Sequence, residues 1–174
     1  GGPGVDQYKQ MSGGGAWCEA AGIVSNCWVV GNAAEAFGGG AYGGNLVGCT
    51  IASNVATWQG GGVYRASLEG STVTRNSAMM GGGASQSTLS RCLVSSNQTP
   101  NNAGGAENCT LDFCTLLGNA AMQGAGAANS TLRNCALYGN AASMQGGAAS
   151  WCTIVNCTIM GNSAGDSGGG LAGA

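Results

Sequence analysis

Nine cysteines are the most reactive side chains in this sequence, and their spacing sorts them into two columns. Six of them, Cys27, Cys49, Cys92, Cys114, Cys135 and Cys157, each open a run of the form Cys-x-(Val/Ile/Leu)-x-x-Asn. The other three, Cys18, Cys109 and Cys152, each precede one of those six within the same segment. Two states remain open. Disulfides Cys109–Cys114, Cys152–Cys157 and Cys18–Cys27 would leave Cys49, Cys92 and Cys135 unpaired and imply an oxidising compartment. Alternatively all nine stay reduced and pack as small hydrophobes, because a corner between paired cysteines holds their Cα atoms beyond bridging range. No metal is expected, since the chain contains no His to support the Cys pairs and they face a dry core.

Two further constellations could act on a ligand. Glu69, Asp112 and Arg133 share one repeat position. A carboxylate pair two repeats apart lies about 9.6 Å apart by strand spacing, near the separation used for inverting glycoside hydrolysis. Nothing else in the pattern supports them, so catalysis is not expected and no catalytic residue is assigned. Trp17, Tyr42 and Tyr64 align on three successive repeats. They predict an exposed aromatic strip, either a contact for a glycan or a neighbouring chain or a ladder that stiffens the sheet.

These residues are positioned by an internal repeat. The column Asn32, Asn54, Asn76, Asn97, Asn119, Asn140 and Asn162 recurs at spacings of 22, 22, 21, 22, 21 and 22 residues. Ser71 takes the place of Cys in the third unit. Each unit is preceded by a short apolar run, such as Asn45-Leu46 or Thr110-Leu111, and by a Gly-rich block, such as Gly38-Gly39-Gly40-Ala41. Leu46, Cys49 and Ile51 sit at −3, 0 and +2 from the Cys position. Alternation inside each short run is a strand signal, and the change of parity between −3 and 0 marks a corner. The Gly block predicts a tight turn leading into a third strand. A helical reading fails, because 35 glycines among 174 residues would cost about 1 kcal/mol each in a helix.

The prediction is therefore an all-β fold: a single-stranded parallel β-helix (β-solenoid) of about seven coils of 21–22 residues, with three short strands per coil. Stacking buries a core that no coil closes alone. Residues 1–12 read as a partial first coil or N-terminal cap, and residues 13–174 as the solenoid, ending inside an eighth repeat. The Asn column is expected to form an amide ladder along the axis.

Composition removes several function classes. Five basic and seven acidic residues give a net charge of −2, too few cations to neutralise nucleic-acid phosphates. No apolar run approaches the length of a membrane span. Outward Thr residues invite an ice-binding reading, yet their columns are broken by Trp28, Leu93 and Ala136.

The Gly-Gly-apolar blocks and the stretch Trp151-Cys-Thr-Ile-Val-Asn-Cys-Thr-Ile-Met-Gly-Asn-Ser-Ala164 resemble the repeats of bacterial right-handed parallel β-helix proteins of the polymorphic outer membrane protein type. The likeness spans residues 13 to 171. It departs from that family three residues before each Asn, where an aliphatic residue stands in place of Phe. The resemblance implies right-handed coiling, secretion and display at the cell surface, with no cofactor. Solenoid ends present unpaired strand edges and Gly168–Ala174 stops part-way through a repeat, so a structural fibre, filament or adhesin stalk built by coil stacking is expected, with head-to-tail self-association or further repeats as partners. A module that binds a glycan or cell-surface partner through the aromatic strip is the second reading; a polysaccharide-active enzyme and an ice-binding protein are lesser ones.

Overall fold

The structure is a computed structural model that describes residues 11–173. It is an all-β parallel solenoid with no helix among the described residues. Three sheets run its length. Sheet one has eight strands, from Ala16–Trp17 through Ala41–Tyr42 and Val63–Tyr64 to Leu171–Ala172. Sheet two has seven, from Ile23–Ser25 to Thr153–Val155, and sheet three has seven, from Trp28–Val30 to Thr158–Met160. All pairings are parallel and link one coil to the next. Leu46, Leu68, Leu89, Leu111, Leu132 and Ile154 stack in register in sheet two. Val29, Ile51, Val73, Val94, Leu116, Leu137 and Ile159 do so in sheet three. The three strands per coil expected from the repeat are the three sheets.

Strands stop after two or three residues because each meets a residue in the left-handed backbone region. Between sheets one and two this is Arg65, Gln86, Asn108, Asn129 or Trp151; between sheets two and three it is Asn26, Gly48, Gly70, Arg91, Phe113, Asn134 or Asn156. A third corner, Ser53, Arg75, Ser96 or Gly118 among others, precedes the Asn column. One such residue turns the chain and shifts the inward parity, which is the phase change seen between Leu46 and Cys49. Burial follows the alternation: Leu46, Ile51, Val63, Leu89, Leu111 and Leu116 are fully buried.

The coil has a further side. After the Asn column the chain forms short strands, Ala33–Ala34 paired with Val55–Ala56, and Ala120–Gln123 paired with Ala141–Gln145 and Ser163–Ala164. Single bridges such as Val55 to Ser77 and Gln98 to Ala120 continue this row between them. It lies against the Gly block. A Cβ at Gly39 would overlap the Val55 carbonyl, and one at Gly61 would overlap the Ser77 carbonyl. These glycines are required because two backbones meet with no side chain between them. Alanines of the row, Ala121, Ala142 and Ala164, pack with Ala125 into a second, small apolar cluster.

Two glycine substitutions separate close approach from backbone strain. At Gly118, φ is +61° and open space surrounds the added Cβ, so Gly118→Ala is expected to cost about 1 kcal/mol. Gly39→Ala forces backbone apart and is expected to cost more than about 4 kcal/mol or prevent folding. Urea denaturation midpoints of the two variants check the order.

Candidate functional site

The Asn column is buried polar structure. Asn54, Asn76, Asn97, Asn119 and Asn140 are fully buried. The Oδ1 of Asn76 accepts from the backbone N–H of Asn54 at 2.9 Å and from its Nδ2 at 3.0 Å. The Nδ2 of Asn76 donates onward to Asn97 Oδ1 and also to the Ile51 carbonyl. The pattern runs unbroken from Asn32 to Asn162. Each interior amide uses both hydrogens and both lone pairs, so a site whose polar atoms are costly to bury unmet becomes fully satisfied.

The six-membered cysteine column follows the same axial rule at the corner between sheets two and three. Each thiol there donates to a carbonyl two residues back, as Cys92 does to Ser90 and Cys135 to Arg133. Most also reach a carbonyl one coil earlier, as Cys114 does to Leu89. Ser71 occupies the gap in this column, accepting from the Cys49 N–H at 3.0 Å, just as Cys157 accepts from the Cys135 N–H at 3.3 Å. The second column alternates likewise: Ser87 N–H donates to Cys109 Sγ, Cys109 N–H to Ser130 Oγ, and Ser130 N–H to Cys152 Sγ. Hydroxyl and thiol fill one structural role.

All nine cysteines are free thiols. The within-coil disulfides Cys109–Cys114, Cys152–Cys157 and Cys18–Cys27 expected from sequence are not formed. A whole sheet-two strand, Thr110–Asp112 or Thr153–Val155, separates the first two pairs; extended chain at about 3.3 Å per residue carries their Cα atoms past the roughly 7 Å that a disulfide spans. The near neighbours of a thiol lie on adjacent coils. Interaction with the Cys114 side chain on the adjacent coil holds Cys92 and Cys135 below the ordinary thiol range, Cys135 to about 7, while the Cys114 thiol is driven up. Burial pushes Cys109 up to about 12 and Cys152 up to about 11.

The aromatic strip is shorter than expected. Trp17 is 40% exposed and stacks on Tyr42 with ring centroids 6.4 Å apart and planes 11° apart. Tyr42 continues to Tyr64 at 5.6 Å. Tyr64 itself is buried, because Phe37 stacks over it at 4.7 Å. Phe37 belongs to the row before the Gly block and folds back over the outer face of sheet one.

Trp17 and Tyr42 form one wall of an open groove of about 270 Å³, completed by Cys18, Glu19, Ala20, Gly43 and Arg65. The Arg65 guanidinium lies 5.3 Å from the Tyr64 ring and its Nε donates to Gln86 at 3.0 Å. The groove forms where the first coil carries three extra residues between Trp17 and Cys27, relative to Tyr42 and Cys49. The groove thus sets an aromatic platform beside a carboxylate and a guanidinium. Sequence reading found Trp17 and Tyr42 but not Glu19 or Arg65; the three-residue insertion was the available signal.

Glu69, Asp112 and Arg133 lie on the outer face of sheet two, with Ser90 between the two acids in the ladder. Glu69 accepts from Arg91 at 2.7 Å, which lowers its carboxyl, and Asp112 accepts from the Asn134 amide. Glu107 differs from these carboxylates. It continues the Tyr64 and Ser85 column, yet it is only 4% exposed, and its Oε2 has no hydrogen-bond partner. Burial raises its carboxyl from 4.5 to about 6.

Among the described residues, no helix is long and apolar enough to cross a membrane. Comparison with known protein families, curated proteins and solved structures finds no match to this chain.

Glu107 predicts an inverted pH dependence. The fold favours its protonated form, so this contribution to stability is complete below pH 4.5, falls as pH rises through about 6, and is absent above. The loss amounts to about 2 kcal/mol. Glu107→Gln should remove it, leaving the variant more stable than the parent at pH 7 and similar at pH 4.5. Urea unfolding of both proteins at the two pH values measures the difference.

Proposed function

We propose that this solenoid is a non-enzymatic structural element of an extracellular or cell-surface fibre, filament or adhesin stalk, extended by axial stacking of coils. The observation that carries the reading is the polarity of the amide ladder. Every link donates from one Asn to the Oδ1 of the Asn in the following coil. Among the described residues, the Asn32 Oδ1 receives no donor, and the Asn162 backbone N–H reaches no Oδ1. A donor end and an acceptor end of one register are complementary. A further coil placed on Asn162, from later in the same polypeptide or from a second copy, continues the ladder and the apolar stack of Leu132–Ile154 and Leu137–Ile159. A stack of this polarity adds in one direction, and a contact between unlike surfaces grows into a filament when it does not close. Surface display rests on the resemblance of the repeats to outer membrane proteins. The absence of catalysis rests on the engagement of Glu69 and Asp112 with their neighbours.

The Trp17–Tyr42 groove favours a second reading, a glycan-binding surface carried on the same rod. A flat aromatic pair accepts the apolar face of a sugar ring, and Glu19 and Arg65 lie at its edge to meet the hydroxyls.

Electron microscopy of the purified chain across a concentration series tests the first reading. End-to-end filaments are expected, with Asn32→Leu shortening them by removing the acceptor. Single short rods at every concentration would overturn self-stacking. Binding to a glycan array tests the second: Trp17→Ser with Tyr42→Ser should reduce retention at least tenfold, and unchanged retention removes the groove from consideration.

A further inference from the structure

The corner column between sheets two and three reads Cys27, Cys49, Ser71, Cys92, Cys114, Cys135, Cys157, one residue per coil. The single Ser divides the cysteines into groups of two and four, both even. Their backbones are one ladder step apart: the Cys27 carbonyl accepts from Thr50, the Cys92 carbonyl from Thr115, and the Cys135 carbonyl from Thr158, each at 2.9 Å. That step brings Cα atoms about 4.8 Å apart, inside the 4.4–6.8 Å range of natural disulfides. Side chains lean the same way. Cys157 Sγ sits 3.3 Å from the Cys135 backbone nitrogen, and Cys114 Sγ reaches back to the Leu89 carbonyl beside Cys92. The other column offers no such neighbours, because Ser130 separates Cys109 from Cys152, and Gly44, Ala66 and Ser87 separate Cys18 from Cys109.

We infer that the column is an oxidation site that closes three cross-coil disulfides, Cys27–Cys49, Cys92–Cys114 and Cys135–Cys157, leaving Cys18, Cys109 and Cys152 as thiols. The co-reactant is a small-molecule disulfide such as oxidised glutathione. One thiolate of a pair attacks a glutathione sulfur and displaces one glutathione thiolate. The partner thiolate then attacks the protein sulfur of the mixed disulfide and displaces the second glutathione. Two protein thiols lose two electrons and two protons, and one glutathione disulfide becomes two glutathione thiols. Within the four-cysteine group, pairing at Cys92–Cys114 and Cys135–Cys157 uses every thiol, whereas Cys114–Cys135 strands its two outer neighbours. Cys92 and Cys135, held below the ordinary thiol range, fall one in each pair of this group, and Cys27 and Cys157 are the members of their pairs that solvent reaches. The inference does not depend on the rod or glycan reading, since it concerns the coil stack alone.

The test equilibrates the whole purified chain in a reduced/oxidised glutathione buffer, alkylates the remaining thiols after unfolding, and maps peptides by mass spectrometry. Alkylation confined to Cys18, Cys109 and Cys152, with the three cross-coil links, is the expected result. Links Cys109–Cys114 or Cys152–Cys157, or alkylation of all nine, would overturn it. Cys135→Ser gives a second readout: Cys157 should join the alkylated set while Cys92–Cys114 persists. Ser71→Cys makes the column odd and should give a mixture of pairings; a single unchanged pattern in that variant would count against neighbour pairing. Circular dichroism with a β signature unchanged from the parent establishes that each variant is folded.

Discussion

A buried amide that must find four hydrogen-bond partners governs this fold. In the interior of the stack each Asn is surrounded by apolar side chains and lies away from water. The partners it finds are the backbone N–H and amide of the preceding Asn, the amide oxygen of the following Asn and a carbonyl one coil back. This condition fixes register absolutely. A slip of one residue would leave several buried donors and acceptors unmet, at about 1–3 kcal/mol each, and would also turn the leucines of sheet two outward. The repeat length reflects the constraint. From the left-handed residue before each Gly block to the following Asn, as in Gly60 to Asn76, Gly81 to Asn97 and Ala103 to Asn119, the distance is 16 residues in every coil after the first, where the three-residue insertion makes it 19. The alternation between 21 and 22 falls wholly between each Asn and the next such turn, on the outer row, where no ladder is interrupted.

That division explains what was legible in the sequence. The columns that face the axis repeat strictly, because each residue is buried against its own counterpart. Leu46, Cys49, Ile51 and Asn54 therefore announced three strands, a corner and a ladder. The backbone conformation of the corner residues was hidden. Phe113, Arg91 and Trp151 adopt the left-handed conformation that sequence rules assign to Gly and Asn. Their side chains point to solvent, and the surrounding ladder holds a backbone that costs about 1–2 kcal/mol when isolated. The outer row was also hidden, since Ser77 and Gln98 join it by single bridges and carry no strand pattern.

The candidate site was half legible for the same reason. Trp17 and Tyr42 sit on a strict column and could be aligned. Tyr64 shares that column, but its burial is decided by Phe37 on the outer row, which repeats loosely. Glu107 shares the same outward column, and its burial is equally invisible to the repeat pattern. Gly81, in the turn of the preceding coil, lies against the Glu107 Cβ, and the residue is only 4% exposed. The irregular features of this solenoid lie where strict repetition relaxes, as the groove does at a three-residue insertion.

The cysteines show that repetition and chemistry are separable. Ser71, Ser87 and Ser130 make the same axial and carbonyl contacts as the thiols around them. The coil thus needs a small side chain at each of these corners that accepts from one backbone N–H and donates to one carbonyl. A hydroxyl does this with the stronger hydrogen bond, and a thiol adds apolar volume. The fold alone therefore gives no reason for cysteines to occupy adjacent coils. Their juxtaposition across a ladder step is a property of the arrangement beyond what the core requires. It places the redox chemistry of the chain along the same axis that the amide ladder defines.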